Sequence, residues 1–212
     1  MKQFSVFLAV ALITAGLSAQ AGSFEAAVAT QEGKPAEDTA VVLEPLSGTV
    51  PHPHAPAPAI EQRDREFRPY LTIVQTGTAV EFPNRDPFKH HVYSFSPAKV
   101  FEIKLYAGKP AQPVIFDKPG EVALGCNIHD WMEAYVLVVN TRYFAKTDAN
   151  GHGIIADVPS GRYRLKLWHP RQKAAFSSRE IEIGAGPGKL DLVINIAPRI
   201  FSKKPPLESD QY

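Results

Sequence analysis

Hydrophobic and polar positions along this chain keep the period of strands rather than that of helices. Short runs rich in β-branched and aromatic residues recur every 8 to 15 positions between Gly, Pro and Asn, and hardly any segment repeats at 3.6 residues. The pattern predicts strands over 24–29, 40–43, 67–75, 79–83, 91–95, 100–104, 113–116, 120–124 and 134–139. So many short strands with turn residues between them predict an all-β chain built on a Greek-key β-sandwich.

A second set of strands is predicted after Asn140, over 143–146, 153–158, 161–168, 178–183 and 190–196. Asp148-Ala149-Asn150-Gly151 and Pro159-Ser160-Gly161 supply turn chemistry between them. The expected organisation is therefore one unit over 22–139, a smaller sandwich over 140–197 and a polar tail over 198–212. Residues 47–59 hold too many prolines for a ladder and read as an extended surface loop. At the N-terminus, Lys2, the apolar run from Phe4 to Leu17 and the small-x-small Ala19-Gln20-Ala21 read as a secretory signal peptide over 1–21. The run is too short to span a bilayer, which takes about 20 apolar residues. The expected location is the periplasm or the outside of a cell.

Charge narrows the function classes. With Lys+Arg 23 against Asp+Glu 22 the formal net charge is +1, so no broad field draws the chain to nucleic acid or anionic lipid. A single Cys excludes an internal disulfide, and a lone thiol outside the cytoplasm is exposed to oxidation unless burial or a metal protects it.

That cysteine sits in a telling place. In Cys126-Asn127-Ile128-His129-Asp130-Trp131-Met132 a thiol, an imidazole and a thioether stand at i, i+3 and i+6, a spacing that lets all three converge on one ion from a tight loop. His2Cys with a weak axial Met is the donor set of a blue-copper electron-transfer site, because thiolate favours Cu(I) while imidazole accommodates both oxidation states. The second imidazole must come from elsewhere, and His90 and His91 are the candidates. In an alternating strand these two point to opposite faces.

Phe67-Arg68-Pro69, the run from Gly77 to Asn84, His90, and Gly125 to Met132 together resemble the cupredoxins, the blue type 1 copper proteins. Within them the likeness is to amicyanin- and plastocyanin-like proteins of the methylamine-utilisation type, and it covers about residues 24–139. Amicyanins share the short C-x-x-H-x-x-M loop and an Asn-Arg-acidic segment ahead of the first ligand His, which selects His90. The resemblance implies that His90, Cys126 and His129 ligate one type 1 copper ion, with Met132 as the long axial contact. It implies an electron carrier rather than an enzyme, since no coordination position is left open for substrate. It also implies an exposed His129 edge in an apolar patch, with Asp130 and Trp131 nearby, that meets redox partner proteins such as a dehydrogenase or a cytochrome, and a monomer.

Two departures stand out. Cupredoxins usually place Asn after the first His, where it ties the two ligand segments together, but His91 stands there. Amicyanin-like loops tend to have Pro two positions after the Cys, whereas Ile128 keeps a backbone N–H able to donate to the Cys126 sulfur.

Residues 144–167, with Asp148-Ala149-Asn150-Gly151 and then Pro159-Ser160-Gly161-Arg162-Tyr163, resemble the transthyretin-like, carboxypeptidase regulatory-like sandwich. That likeness implies a structural part and no chemistry. His52 and His54 read as solvated loop residues or a low-affinity copper-loading site, and His152 and His169 as structural or exposed. Tyr163 and Trp168 read as core. The rival to a carrier is a copper chaperone or storage module without redox cycling, which calls for an exposed Met- or His-rich site. A structural β protein with a vestigial site is the third reading.

Overall fold

The computed structural model describes residues 21–48 and 57–198. The expected signal peptide, apart from Ala21, His52 and His54 in the proline-rich loop, and the tail beyond Pro198 lie outside the described residues. Among the described residues the chain is all-β, with no helix able to cross a membrane. In chain order the strands are β1 (Ala21–Thr30), β2 (Ala40–Pro45), β3 (Glu61–Arg63), β4 (Glu66–Arg68), β5 (Leu71–Gln75), β6 (Thr78–Val80), β7 (His90–Ser96) and β8 (Lys99–Tyr106). They continue with β9 (Val114–Phe116), β10 (Gly120–Gly125), β11 (Glu133–Val139), β12 (Phe144–Lys146), β13 (His152–Pro159), β14 (Gly161–Trp168), β15 (Arg179–Ile183) and β16 (Pro187–Ile194).

A five-stranded sheet ordered β5-β11-β10-β7-β8 forms the middle of the chain, with the two-stranded ladders β3-β4 and β6-β9 beside it. Its inward residues Val92, Val122, Leu124, Ala134, Val136 and Val138 pack with Phe67, Val80, Phe82 and Phe116. Cys126 and Met132 belong to the same apolar cluster, so the candidate ligand loop closes one end of this core. The single strand expected over 67–75 is two strands, because Pro69 offers no N–H to a ladder.

The first two strands depart from the expected organisation. The expected 22–139 unit includes them, yet β1 pairs antiparallel with β13 and parallel with β16, and β2 lies between β12 and β14. The three-stranded sheet β13-β1-β16 and the four-stranded sheet β12-β2-β14-β15 enclose Phe24, Ala26, Val28, Val41, Leu43, Tyr163, Leu165 and Leu192. The physical reason is that alternation fixes which face of a strand is buried, not which strand it pairs with. β2 is buried on both faces: Val41 and Leu43 face this core, while Ala40 and Val42 pack against Leu71, Leu137 and Val139 of β5 and β11. Trp168 extends that contact and donates its indole N–H to Glu121 at 3.1 Å.

Candidate metal centre

Two segments meet at one end of the five-stranded sheet. One is the approach to β7, held by Asn84, whose side-chain amide donates to the Phe88 and Tyr106 carbonyls at 2.8 and 3.0 Å and whose Oδ1 accepts the Asp86 N–H at 2.9 Å. It delivers His90 as the first residue of β7. The other is the loop from Cys126 to Met132 between β10 and β11, closed by the Met132 N–H donating to the His129 carbonyl at 2.9 Å. The strands bearing these segments pair at Gly125 and Tyr93. Gly125 leaves room for the end of the Tyr93 ring, which would stand 2.7 Å from a Cβ there.

The outcome is a compact donor group: one ligand atom each from His90, Cys126 and His129 lies within 4.8 Å of the other two. Cys126 Sγ is 3.9 Å from His129 Nδ1, and the two imidazole centroids are 5.0 Å apart. All are enclosed, with exposures of 0 % for His90, 3 % for Cys126 and 4 % for His129. Met132, 2 % exposed, is buried beside them in the same cluster. The rings of Phe88 and Trp131 flank His129 at 6.1 and 5.0 Å.

His90 has one ring nitrogen engaged and one open. Its Nε2 lies 2.7 Å from Asp86 Oδ2, whereas its buried Nδ1 has no hydrogen-bond partner. A buried polar atom left unpaired is costly unless something binds it. The donor set of one thiol and two imidazoles around that atom fits a soft or borderline cation, copper above all. Burial pushes the Cys126 thiol up, but the neighbouring His90 imidazole and the backbone N–H groups of His91 and Ile128 hold it below the ordinary thiol range. That favours the thiolate, the form that ligates metal. Burial pushes the His90 imidazole down, while Cys126 and Asp86 hold it above its ordinary value.

The remaining histidines stand elsewhere. His91, buried, places Nε2 2.9 Å from Glu102 on β8 and does not join the donor group; its side chain makes no tie to the ligand loop. His152 pairs with Glu25 at 3.1 Å, and His169 is buried with Nδ1 accepting the Arg171 N–H at 2.9 Å. One expectation is corrected. The edge of His129 is not open to solvent, because Phe88 and Trp131 cover it, and the exposed apolar residue of the loop is Ile128 at 42 %.

Sequence reasoning missed Asp86, although it lies within the Asn84-Arg85-Asp86 run that marked His90. It also missed the Asp64-Arg65 turn, whose backbone N–H groups donate to Asp86 at 2.7 and 2.9 Å. No hydrophobic period marks either.

No protein-family model and no curated relative matches this chain. Among solved structures it is similar to a Cu-containing nitrite reductase from Thermus scotoductus SA-01, at 21% identity and a TM-score of 0.38 over 45% of this chain and 25% of that one. It thus spans about a quarter of that reductase. It is also similar to a mutant amicyanin in its reduced Cu(I) form at pH 4, at 16% identity and a TM-score of 0.37 over 47% of this chain and 98% of that one. A purple cupredoxin from Nitrosopumilus maritimus matches at 20% identity and a TM-score of 0.35, over 39% of this chain and 99% of that one. These likenesses are distant in sequence and in superposition.

Proposed function

We propose that this protein is a type 1 copper protein that carries single electrons between redox partners. The observation that carries the reading is the enclosed group of His90, Cys126 and His129, with the His90 Nδ1 lone pair buried and unpaired. His90, Cys126 and His129 would hold the ion, with Met132 as the axial donor. Bound copper would supply a one-electron couple between Cu(II) and Cu(I).

The chain's own residues make that couple usable. Asp86 orients the His90 ring, and the His91 and Ile128 N–H groups stabilise charge on the Cys126 sulfur. Phe88, Trp131 and the apolar cluster around Met132 keep water from the donors. A partner would meet the loop near His129 and Trp131 through the rim of Ile128, Asp130 and Trp131, in a weak, transient contact. In this reading the protein works in the periplasm as a monomeric carrier rather than an enzyme. Residues 140–197, with the likeness to a transthyretin-like sandwich, serve as structure together with β1 and β2, which complete their two sheets.

The test is the visible spectrum of the protein loaded with Cu(II), repeated for Cys126→Ser. An intense band at about 600 nm, lost in the variant, supports a Cu(II)–thiolate site. Copper uptake without that band overturns the carrier reading.

A further inference from the structure

The β3-β4 hairpin turns on Asp64 and Arg65, both with positive φ, 54° and 57°. A two-residue hairpin turn with both residues left-handed ordinarily recruits Asn or Asp and then Gly, so Asp64 suits its position but the residue type of Arg65 does not account for its conformation. Contacts outside the hairpin hold it. Asp86 Oδ1 accepts the Asp64 N–H at 2.7 Å and Oδ2 accepts the Arg65 N–H at 2.9 Å. The same Oδ2 lies 2.7 Å from His90 Nε2. On the other side, the Arg65 carbonyl accepts the Trp131 indole N–H at 3.1 Å, and the Arg65 guanidinium lies 5.8 Å from the centre of the Trp131 ring. Arg65 is 1 % exposed, so its side of the contact is sheltered from water, while Asp64 stands at the surface.

One turn therefore bonds to both ligand-bearing segments: through Asp86 to the segment that presents His90, and through Trp131 to the loop that presents Cys126, His129 and Met132. Elsewhere the two segments meet through the register pair Gly125 and Tyr93, the Ala123 N–H donating to Ser96 Oγ at 2.9 Å and the His91 N–H beside the Cys126 sulfur, while the His91 side chain is engaged with Glu102. We propose that the Asp64-Arg65 turn is a strap that sets the spacing of the two ligand segments, with Asp86 and Trp131 as its positioning residues. The inference rests on the reading of His90, Cys126 and His129 as metal ligands. Asp86, accepting from Nε2, keeps the ring proton there and leaves the Nδ1 lone pair facing the other donors.

The experiment uses the full chain with Asp86→Ala, Asp86→Asn, Trp131→Phe and the Asp86→Ala/Trp131→Phe pair. Nitrogen NMR of the histidine rings reads the His90 tautomer and ring order without metal, and transfer of copper to a chelator reads its release. Asp86→Ala should lose the fixed Nε2–H tautomer, and both single variants should release copper about 10- to 100-fold faster. Asp86→Asn, which keeps an acceptor oxygen, should recover part of each effect. The pair should fall short of the product of the singles, because both cuts open one strap. A wild-type tautomer in Asp86→Ala, wild-type release in both singles, or fully multiplicative effects overturns the strap. Should Asp86→Ala not fold, Trp131→Phe, which loses the indole N–H and one ring but stays aromatic, carries the release test. A wild-type protein that takes up no copper defeats the metal reading, and tautomer and ring order in the metal-free variants then decide the strap alone.

Discussion

His169 follows β14 and is 1 % exposed, with its own N–H donating to Gln172 Oε1 at 3.2 Å and its Nδ1 accepting from the Arg171 backbone. Burial, reinforced by the positive charge of Arg171, pushes its pKa down to about 4, while the Asp38 carboxylate and the Glu37 peptide oppose the shift more weakly. In the unfolded chain the same imidazole titrates near its ordinary 6.5. Between those values the unfolded state binds the proton and the folded state does not, so stability falls as the pH drops from 6.5 towards 4. At 1.36 kcal/mol per pKa unit the whole shift is worth about 3 kcal/mol, and the step from pH 7 to pH 5 about 2 kcal/mol. His169→Asn keeps an acceptor oxygen for the Arg171 N–H and removes the titration. Urea unfolding of the metal-free protein at pH 7, 6 and 5 should show wild type losing about 2 kcal/mol more than His169→Asn over that range. Every other titrating group is common to both proteins and cancels in the difference. Parallel stability curves would refute the assignment of a buried, neutral His169.

Other outcomes follow from single contacts. Ile128→Pro removes an N–H bonded to the Cys126 sulfur and should lower the reduction potential of the copper-loaded protein by about 40 mV, the equivalent of one ordinary hydrogen bond of about 1 kcal/mol. Voltammetry showing an unchanged or higher potential would remove that bond from the account. Gly151→Ala forces a Cβ to within 2.3 Å of the Val28 carbonyl at a φ of +79°, and thermal or urea unfolding should register a loss of about 2 kcal/mol or more. Val42→Ala opens a cavity where β2 packs on β5 and β11 and should cost about 1 to 3 kcal/mol in the same assay, with the spectrum of the copper-loaded protein unchanged.

Strand existence was legible because it is a local matter of period and turn chemistry, and β7, β8, β10, β11 and β14 lie where alternation puts them. Pairing was not. Ala40-Val41-Val42-Leu43 reads as a continuous apolar run, and the structure gives the reason: one pair of alternate residues faces Leu165 and the other faces Leu71 and Leu137. A strand buried on both faces has no polar side to orient it, so nothing local says which two layers it separates. β3 failed for the opposite reason. Glu61-Gln62-Arg63 has no apolar residue, and it is a strand because its hairpin partner Glu66-Phe67-Arg68 and the carboxylate of Asp86 hold it there.

The same division runs through the candidate centre. Cys126, His129 and Met132 were legible because one short loop supplies them, and the turn closed by the Met132 N–H folds that spacing into a cluster. The groups that aim them were not, because Arg65 reaches the loop across 66 positions of sequence and Asp86 reaches the turn across 22. Donor identity depends on residue type and can be read from a motif, whereas donor placement depends on hydrogen bonds between segments that no motif spans. His91 makes the point concrete. Its identity suggested a second imidazole for the metal, yet the alternation of β7 turns it towards Glu102, while the ring one residue earlier meets Cys126 and His129 with its Nδ1 unpaired. Which of two adjacent histidines joins Cys126 and His129 is thus decided by the face of a strand, and the other nitrogen of that ring is held by a carboxylate four positions upstream.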